Sequence, residues 1–405
     1  MSPATDRPHP PSTATRPTDL RANLTLAALF LAMFVMGTAE LIVVGVLDLI
    51  AADFQVSIPS AGALVTVNAL GLALGGPALT ALTLRLDKRT ILVGALALFV
   101  LANLVAVVTA SYGLFLAART VAGAVQGLSI AAAFGAGISV VPPERMGRAM
   151  SAVISGVSVS AALGVPAGTL VGQTLGWRGA FVAVVALAVV SLVAALVLVP
   201  SVPATGRGVG DQARYAFAPR VLAALGLSFL VFAALFAAVT YIVPFLRDVT
   251  GVSGALVSVF LLAYGVATAI GSFGGGRFAD RNAARTLTLG TIGVAASLLA
   301  LELFGTVAAL VAPALLALGL FGMGMAPSLQ YRVVSLAGPG GQLAQSLPAS
   351  AINVGIAAGS AAGGVAVGAY SPAAAVVTGI GIAVLAVAAA LATGRLRPPA
   401  PEPAQ

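Results

Sequence analysis

Twelve times along this chain a run of about twenty apolar residues is closed off by a short cluster of turn formers or charges, and that repetition leaves few folds open. The runs cover 24–46, 61–83, 90–110, 113–140, 149–172, 178–200, 221–246, 253–275, 286–304, 307–331, 345–370 and 372–394. Each is long enough to cross the hydrocarbon core of a bilayer as a helix. Charged residues make up 8% and hydrophobic ones 60%, whereas soluble globules carry about 25% charged. The chain therefore reads as an all-α integral membrane protein of twelve transmembrane helices. The longest interior connection, 201–220 (SVPATGRGVGDQARYAFAPR), is rich in Pro, Gly and Arg and divides it into an N-terminal six-helix half, 24–200, and a C-terminal half, 221–394. Residues 1–23 have the composition of a disordered tail, and 395–405 form a second one. No cleavable signal is expected, because the first apolar run is long and follows a polar head.

The basic residues orient the bundle. With the N-terminus inside, every Lys and Arg except Arg119, Arg178 and Arg247 falls to the inner side, in the tails, the 201–220 linker and the even loops. Both termini are thus expected in the cytoplasm, and the formal charge of +8 needs no nucleic-acid partner. All but one of the basic residues are Arg, a usage typical of a high-GC bacterial genome and hence of a bacterial cytoplasmic membrane. Cysteine is absent and the one histidine, His9, lies in the tail. Thiolate metal sites and imidazole chemistry are excluded on that ground, and no cluster of intramembrane acids offers a metal site or an acid/base pair. No metal and no cofactor is expected, and the chain does not read as an enzyme.

Span 5 carries an unusual interruption. Its stretch 156–177, GVSVSAALGVPAGTLVGQTLGW, holds Gly156, Gly164, Gly168, Gly172 and Gly176 together with Pro166. Such residues weaken a helix in water but are tolerated in membranes where neighbouring helices pack closely. A second interrupted stretch, 347–368, takes the matching place in the other half. Paired interruptions of this kind are the mark of a transporter built from repeats. The glycine face of span 5 is expected to pack and hinge against the other half, with Asn353, Gly355, Gly359 and Gly363 of span 11 as its counterpart.

Polar groups inside spans are costly, about 2.5–3.5 kcal/mol for a charge at the bilayer centre. Glu40, about sixteen residues into span 1 and so about 24 Å along it, is either a proton carrier in a cavity or a structural hydrogen-bond partner of another helix. Asp48, two turns further out, joins the proton path or is an interfacial acid, the latter reading being preferred; Glu302 in span 9 reads as interfacial. Arg119 is the one basic residue in a span interior, and it either pairs with Glu40 or Asp48 or snorkels to the outer surface. Gly123 and Gln126 share its helical face at i+4 and i+7. Asn68, Gln126, Tyr241, Gln330 and Asn353 either offer hydrogen bonds to a substrate in a mainly apolar cavity or bond between helices.

Several stretches resemble one family, the major facilitator superfamily, and within it the twelve-span drug:proton antiporters that include bacterial chloramphenicol, sugar and purine efflux pumps. They are MGTAELIVVGVLDLIAADF in span 1, LAARTVAGAVQG in span 4 and GVSVSAALGVPAGTLVGQTLGWRGAF in span 5, the last similar to the antiporter signature. The second half adds TYIVPFLRDVTGVS, GGGRFADRNAAR, GMGMAPSLQYRV and ASAINVGIAAGSAAGG. Asp48 and Leu49 depart from the family pattern, which has Pro and then a polar residue there. The loop motif after span 8 is intact as Gly276, Ala279, Asp280, Arg281 and Arg285, while its copy after span 2 keeps Arg85, Lys88 and Arg89 but has Leu84 at the aspartate position.

The resemblance implies two six-helix halves with inverted repeats that rock about a midplane site. It also implies Glu40 as proton carrier, a conformational role for Gly156, Gly164, Pro166, Gly168 and Gly172, and a cytoplasmic gate at Arg85, Arg89, Gly276, Asp280, Arg281 and Arg285. The function expected is export of a small neutral or amphipathic molecule, drug-like compound or metabolite, against protons by alternating access, as in multidrug resistance. An uncoupled facilitator or a sugar or nucleobase permease is the alternative; a polytopic enzyme or receptor is a distant third. The partners expected are the small-molecule substrate, protons and the lipid bilayer, with the chain a monomer.

Overall fold

The computed structural model of the protein describes residues 17–83, 85–142, 145–201, 218–338 and 347–397, all of them helical or in short turns. The first tail up to residue 16, Leu84, most of the linker, the start of span 11 at 345–346 and the residues after 397 lie outside the described residues, as do the side chains of Pro17, Thr18, Asp19, Ala279 and Asp280. Hydrocarbon offers the backbone no hydrogen-bond partner, so each crossing closes its bonds within itself. Eleven helical stretches are long and apolar enough to cross a membrane among the described residues. One of them, Arg148–Leu198, has 51 residues, about 76 Å as a straight rod and more than twice the hydrocarbon core. It is two spans. Gly176, at φ 76° and ψ 162°, reverses the chain between them, a backbone state that a side chain would strain.

The other spans are Ile58–Leu82, Lys88–Val108, Tyr112–Ser139, Pro219–Asp248, Ala255–Phe278, Arg281–Phe304, Ala308–Ala337, Leu347–Ala369 and Pro372–Gly394. Span 1 is the helix Pro17–Gly45. It begins earlier than the expected limit at residue 24. Asn282 breaks the backbone between spans 8 and 9 at φ −164° and ψ 89°, and its Oδ1 accepts from Arg285 N at 3.0 Å to start span 9. That break lies within the loop motif after span 8.

Two spans widen locally into π turns, Gly71–Gly75 in span 2 and Ser160–Gly164 in span 5. Each ends two residues before a proline, Pro77 and Pro166. A proline ring collides with the carbonyl four residues earlier, here Ala73 and Ala162, both inside the π turns. Opening the turn relieves the clash without breaking the span.

The glycine stripe of span 5 faces span 1. A Cβ on Gly156 would run into Phe30 O, on Gly164 into Thr38, on Gly168 into Ile42 and on Gly172 into Val46. Both rows advance in step, by eight residues from the first contact to the second and then by four, always in whole turns. The expected packing of this face on the other half is therefore corrected: the stripe binds span 5 to span 1 inside its own half. Span 11 repeats the arrangement, with Gly355, Gly359 and Gly363 against the carbonyls of Phe229, Ala233 and Ala237 in span 7. Span 4 approaches span 2 in the same way, Gly123 against Asn68 O and Gly127 against Gly76. Gly123 thus faces span 2, not the interior.

The halves meet along spans 2 and 11 and along spans 5 and 8. Span 5 turns its other side to span 8, where Gly265 rides on Ala161 O and Ser158 and Ser272 share a hydrogen bond of 3.1 Å. At the end of the bundle away from the arginine-rich loops, called the outer end below, spans 1 and 7 both break into short helices, Leu47–Phe54 and Ile242–Asp248. Asp53 of the first is paired with Arg178 and accepts from Trp177 Nε1 at 3.2 Å. Arg178 also caps Val107 O and Thr109 O, each at 3.1 Å, and its guanidinium lies 4.4 Å from the Trp177 ring. The ring stacks on Phe115, so the G-W-R stretch after the reversal locks the outer loops of this half.

Adding a methyl group to a stripe glycine is expected to lower stability. Gly359→Ala drives a Cβ into Ala233 O and should cost about 1–3 kcal/mol, read as a lower melting temperature of the purified protein. Gly94→Ala and Gly381→Ala, which face open space, should leave it unchanged or raise it.

Candidate functional site

Span 1 carries Glu40 past span 4, which runs the opposite way. In a helix the side chains tilt toward the N-terminus and the carbonyls point toward the C-terminus. The carboxylate of Glu40 therefore reaches inward while its carbonyl, with that of Ala39, points outward. Span 4 meets both: Gln126 Nε2 donates to Glu40 Oε2 at 2.7 Å, and Arg119 donates from Nη1 to Ala39 O at 2.9 Å and from Nη2 to Glu40 O at 3.3 Å. The spacing of seven residues, two turns, puts Arg119 and Gln126 on one face of span 4.

Arg119 is 1% exposed and its Nε has no hydrogen-bond partner among the described residues. It neither snorkels nor bonds a carboxylate directly; the expected pairing with an acid is replaced by a clamp on the backbone of span 1. Gln126, expected among substrate-cavity residues, is the hydrogen-bond partner of Glu40.

Asp48 is placed elsewhere. It forms an ion pair with Arg247, from the first turn of Leu47–Phe54 to the last turn of Ile242–Asp248. This pair crosses from one half to the other at the outer end. Asp48 Oδ1 and Arg247 Nε are both buried without a further partner. Sequence reading passed over Arg247 as a loop charge. A signal was present nonetheless: the outer end carries two arginines, Arg178 and Arg247, and each has found an aspartate on the short helix that follows span 1.

The uncharged candidates divide. Tyr241 is buried, donates to Ser360 O at 3.0 Å and presses its hydroxyl where a Cβ of Gly62 or Gly364 would stand. Ser360 Oγ donates to Gly62 O at 3.3 Å. Tyr241 thus belongs to the outer seam between spans 2 and 11, where it lines a cavity with Ser60, Thr66 and Gly364. Asn68 and Asn353 lie six and seven residues inward of Gly62 and Ser360 on the same antiparallel seam. Asn68 Nδ2 and Asn353 Oδ1 are buried and without a partner among the described residues, whereas Asn353 Nδ2 donates within its helix to Ala349 O at 2.9 Å. Gln330 is exposed on span 10, and Glu302 is exposed on span 9.

The loop residues are also dispersed. Arg89 donates to Leu196 O at 2.5 Å at the end of span 6, within its own half, and Arg85 is exposed. Gly276 faces open space, and Arg281 and Arg285 are exposed. The expected gate residue Asp280 lies outside the described side chains.

Two six-span halves, joined along spans 2/11 and 5/8 around a polar contact deep in span 1, have the organisation of a membrane transporter built from repeats. The chain belongs to the Major Facilitator Superfamily, whose sequence profile matches residues 29–344. It is 34% identical over 346 residues to the uncharacterized MFS-type transporter YtbD of Bacillus subtilis, covering 84% of this chain and 87% of that one. It is 31% identical over 341 residues to the chloramphenicol resistance protein of Streptomyces lividans, covering 83% and 85%. Among solved structures, a bacterial homologue of the human lysosomal transporter Spinster, in an inward-facing and unoccupied conformation, superposes with a TM-score of 0.76 at 16% identity, over 94% of this chain and 98% of that one. The nucleoside transporter NupG superposes with a TM-score of 0.75 at 13% identity, over 92% and 99%. The protein is a multi-pass membrane transporter.

Breaking the Asp48–Arg247 pair is expected to loosen the outer end. The chain has no natural cysteine, so spin labels at Gln55→Cys and Thr250→Cys report the gap alone. Arg247→Ala should broaden that distance distribution toward longer values, and the swap Asp48→Arg with Arg247→Asp should restore it. An unchanged distribution in Arg247→Ala would show that the pair does not hold the outer end.

Proposed function

We propose that this transporter exports a small neutral or amphipathic molecule in exchange for protons, with Glu40 as the proton carrier. The observation that carries the reading is the single carboxylate deep in span 1, held by the neutral amide of Gln126 at 2.7 Å and beside the buried Arg119. A carboxylate with an amide partner keeps that hydrogen bond in either protonation state, because the amide offers both N–H and C=O. Arg119 fixes the backbone of the same turn, so a change of charge on Glu40 is felt by span 1 as a whole.

In the proposed cycle Glu40 takes a proton when the cavity opens outward and releases it inward, in competition with the substrate. One proton crossing 100 mV gains about 2.3 kcal/mol, enough for about a fiftyfold gradient of a neutral substrate. The chloramphenicol resistance protein among the relatives supports a drug-like cargo, as does the scarcity of intramembrane charge. Asn68 and Asn353, with unpartnered buried atoms on the inner side of the seam, are the groups we assign to substrate hydrogen bonding. The chain works as a monomer in the bacterial cytoplasmic membrane with both termini inside.

Transport into inverted vesicles tests the coupling. Wild type should accumulate chloramphenicol or a related amphenicol only with a proton gradient and lose it on adding a protonophore, while Glu40→Gln should show no gradient-driven uptake. Gln126→Leu should slow uptake at least tenfold, the effect of about 1.4 kcal/mol of lost hydrogen bonding. Uptake by Glu40→Gln equal to wild type, with and without protonophore, would make the protein an uncoupled facilitator.

A further inference from the structure

At the inner end of the N-terminal half a cavity of about 730 Å³ opens between the ends of spans 1, 3, 4 and 6, lined by Arg21, Leu24, Thr25, Arg89, Val140 and Leu198. It lies on the flank of the half, away from span 4's contact with Glu40. The polar groups of its floor are already matched: Thr25 Oγ1 donates to Leu198 O at 2.8 Å, and Arg89 Nη2 to Leu196 O at 2.5 Å. That bond is the only one its guanidinium makes among the described residues, and a guanidinium has five N–H groups. Arg21 is exposed, with no side-chain bond among the described residues. Two guanidinium groups thus face one cavity with no acid among its lining residues.

The cavity's surroundings specify what kind of anion fits. Leu20, Leu24, Leu196 and Val197 are exposed beside it, Val197 at 74%, in a helix bundle whose sides face acyl chains. A soluble anion gains nothing from these side chains. A phospholipid uses both, its phosphodiester between the arginines and its chains along the leucines. From this juxtaposition we infer that the cavity between Arg21 and Arg89 is a binding site for the headgroup of an anionic phospholipid of the inner leaflet. Basic pockets between spans on the cytoplasmic side bind such headgroups, and the planar fork of arginine matches phosphate oxygens.

The test uses the full chain in nanodiscs of mixed phosphatidylcholine and phosphatidylglycerol, with lipids retained after release into detergent counted by native mass spectrometry. Wild type should keep phosphatidylglycerol in preference to phosphatidylcholine. Arg21→Gln with Arg89→Gln should lower that preference by about thirtyfold, from about fivefold for each arginine, and each single variant should lose about fivefold. Removing two charges away from the cavity, Arg395→Gln with Arg397→Gln, should leave it unchanged. An unchanged melting temperature of the double variant in pure phosphatidylcholine shows that the fold survives; should it melt early, the single variants decide. Equal retention in variant and wild type overturns the site. Protection of delipidated protein by inorganic phosphate as strong as by phosphatidylglycerol assigns the cavity to a free phosphate and overturns the lipid.

Discussion

Everything in this bundle hangs on how closely two pairs of helices approach. Span 5 lies on span 1, and span 11 on span 7, with glycine after glycine where a Cβ would meet backbone or side chain. In hydrocarbon no hydrophobic effect drives helices together, so van der Waals contact between bared backbones supplies the attraction. The two stripes occupy equivalent places in the two halves, and each fixes the helix that begins its half. Because span 1 is fixed by span 5, its carbonyls at Ala39 and Glu40 arrive where Arg119 can clamp them.

A division of labour between the faces of span 5 follows. One face is committed to span 1 through glycines and the other to span 8 through Ala161 and Ser158. The first contact is dense and internal to the half; the second crosses the seam and is light, a glycine and a pair of serines. Sliding is cheap at the second contact, and at the first, inside the half, it would be costly. The antiporter-like stretch is therefore a rigid spine for its half, and sliding belongs to the opposite side of the same helix. The π turn before Pro166 lies between these commitments, where it spares the span a full break.

The spans themselves are legible in sequence, because burial in lipid demands an apolar run of a length set by the bilayer. Boundaries moved by a turn or two: span 1 starts at residue 17, not 24, span 9 at Arg281, not 286, and span 10 runs on to Ala337, not 331. The division between spans 5 and 6 falls where the sequence places it, at the positive φ of Gly176. Glu40, Arg119 and Gln126 are equally legible as residues out of place in hydrocarbon. Their partners are not. A stripe of small residues announces a close neighbour without naming it, which is why span 5 reads as facing the other half. Arg119 meets backbone carbonyls, which every residue has and no sequence pattern marks. Asp48 and Arg247 are far apart in the chain, and only the breaks after Gly45 and Val239 bring their short helices together.

Span 1 ties the two ends of the transporter to one another. Its middle bears the carboxylate that meets Gln126, and its continuation past the break at Val46 bears Asp48 in the ion pair with Arg247. Glycines lock the intervening turns to span 5 as far as Val46 opposite Gly172. A helix held that firmly moves as a body or not at all. In the proposed cycle a displacement of span 1 that accompanies a change of charge at Glu40 would act on the short helix beyond it, and the bond it would strain first is the one that crosses between the halves. The break after Gly45 lets that short helix pivot, while Asp53, held by Arg178 and Trp177, ties its far end to the N-terminal half. Asp48 consequently travels with its own half, and opening the outer end means separating it from Arg247.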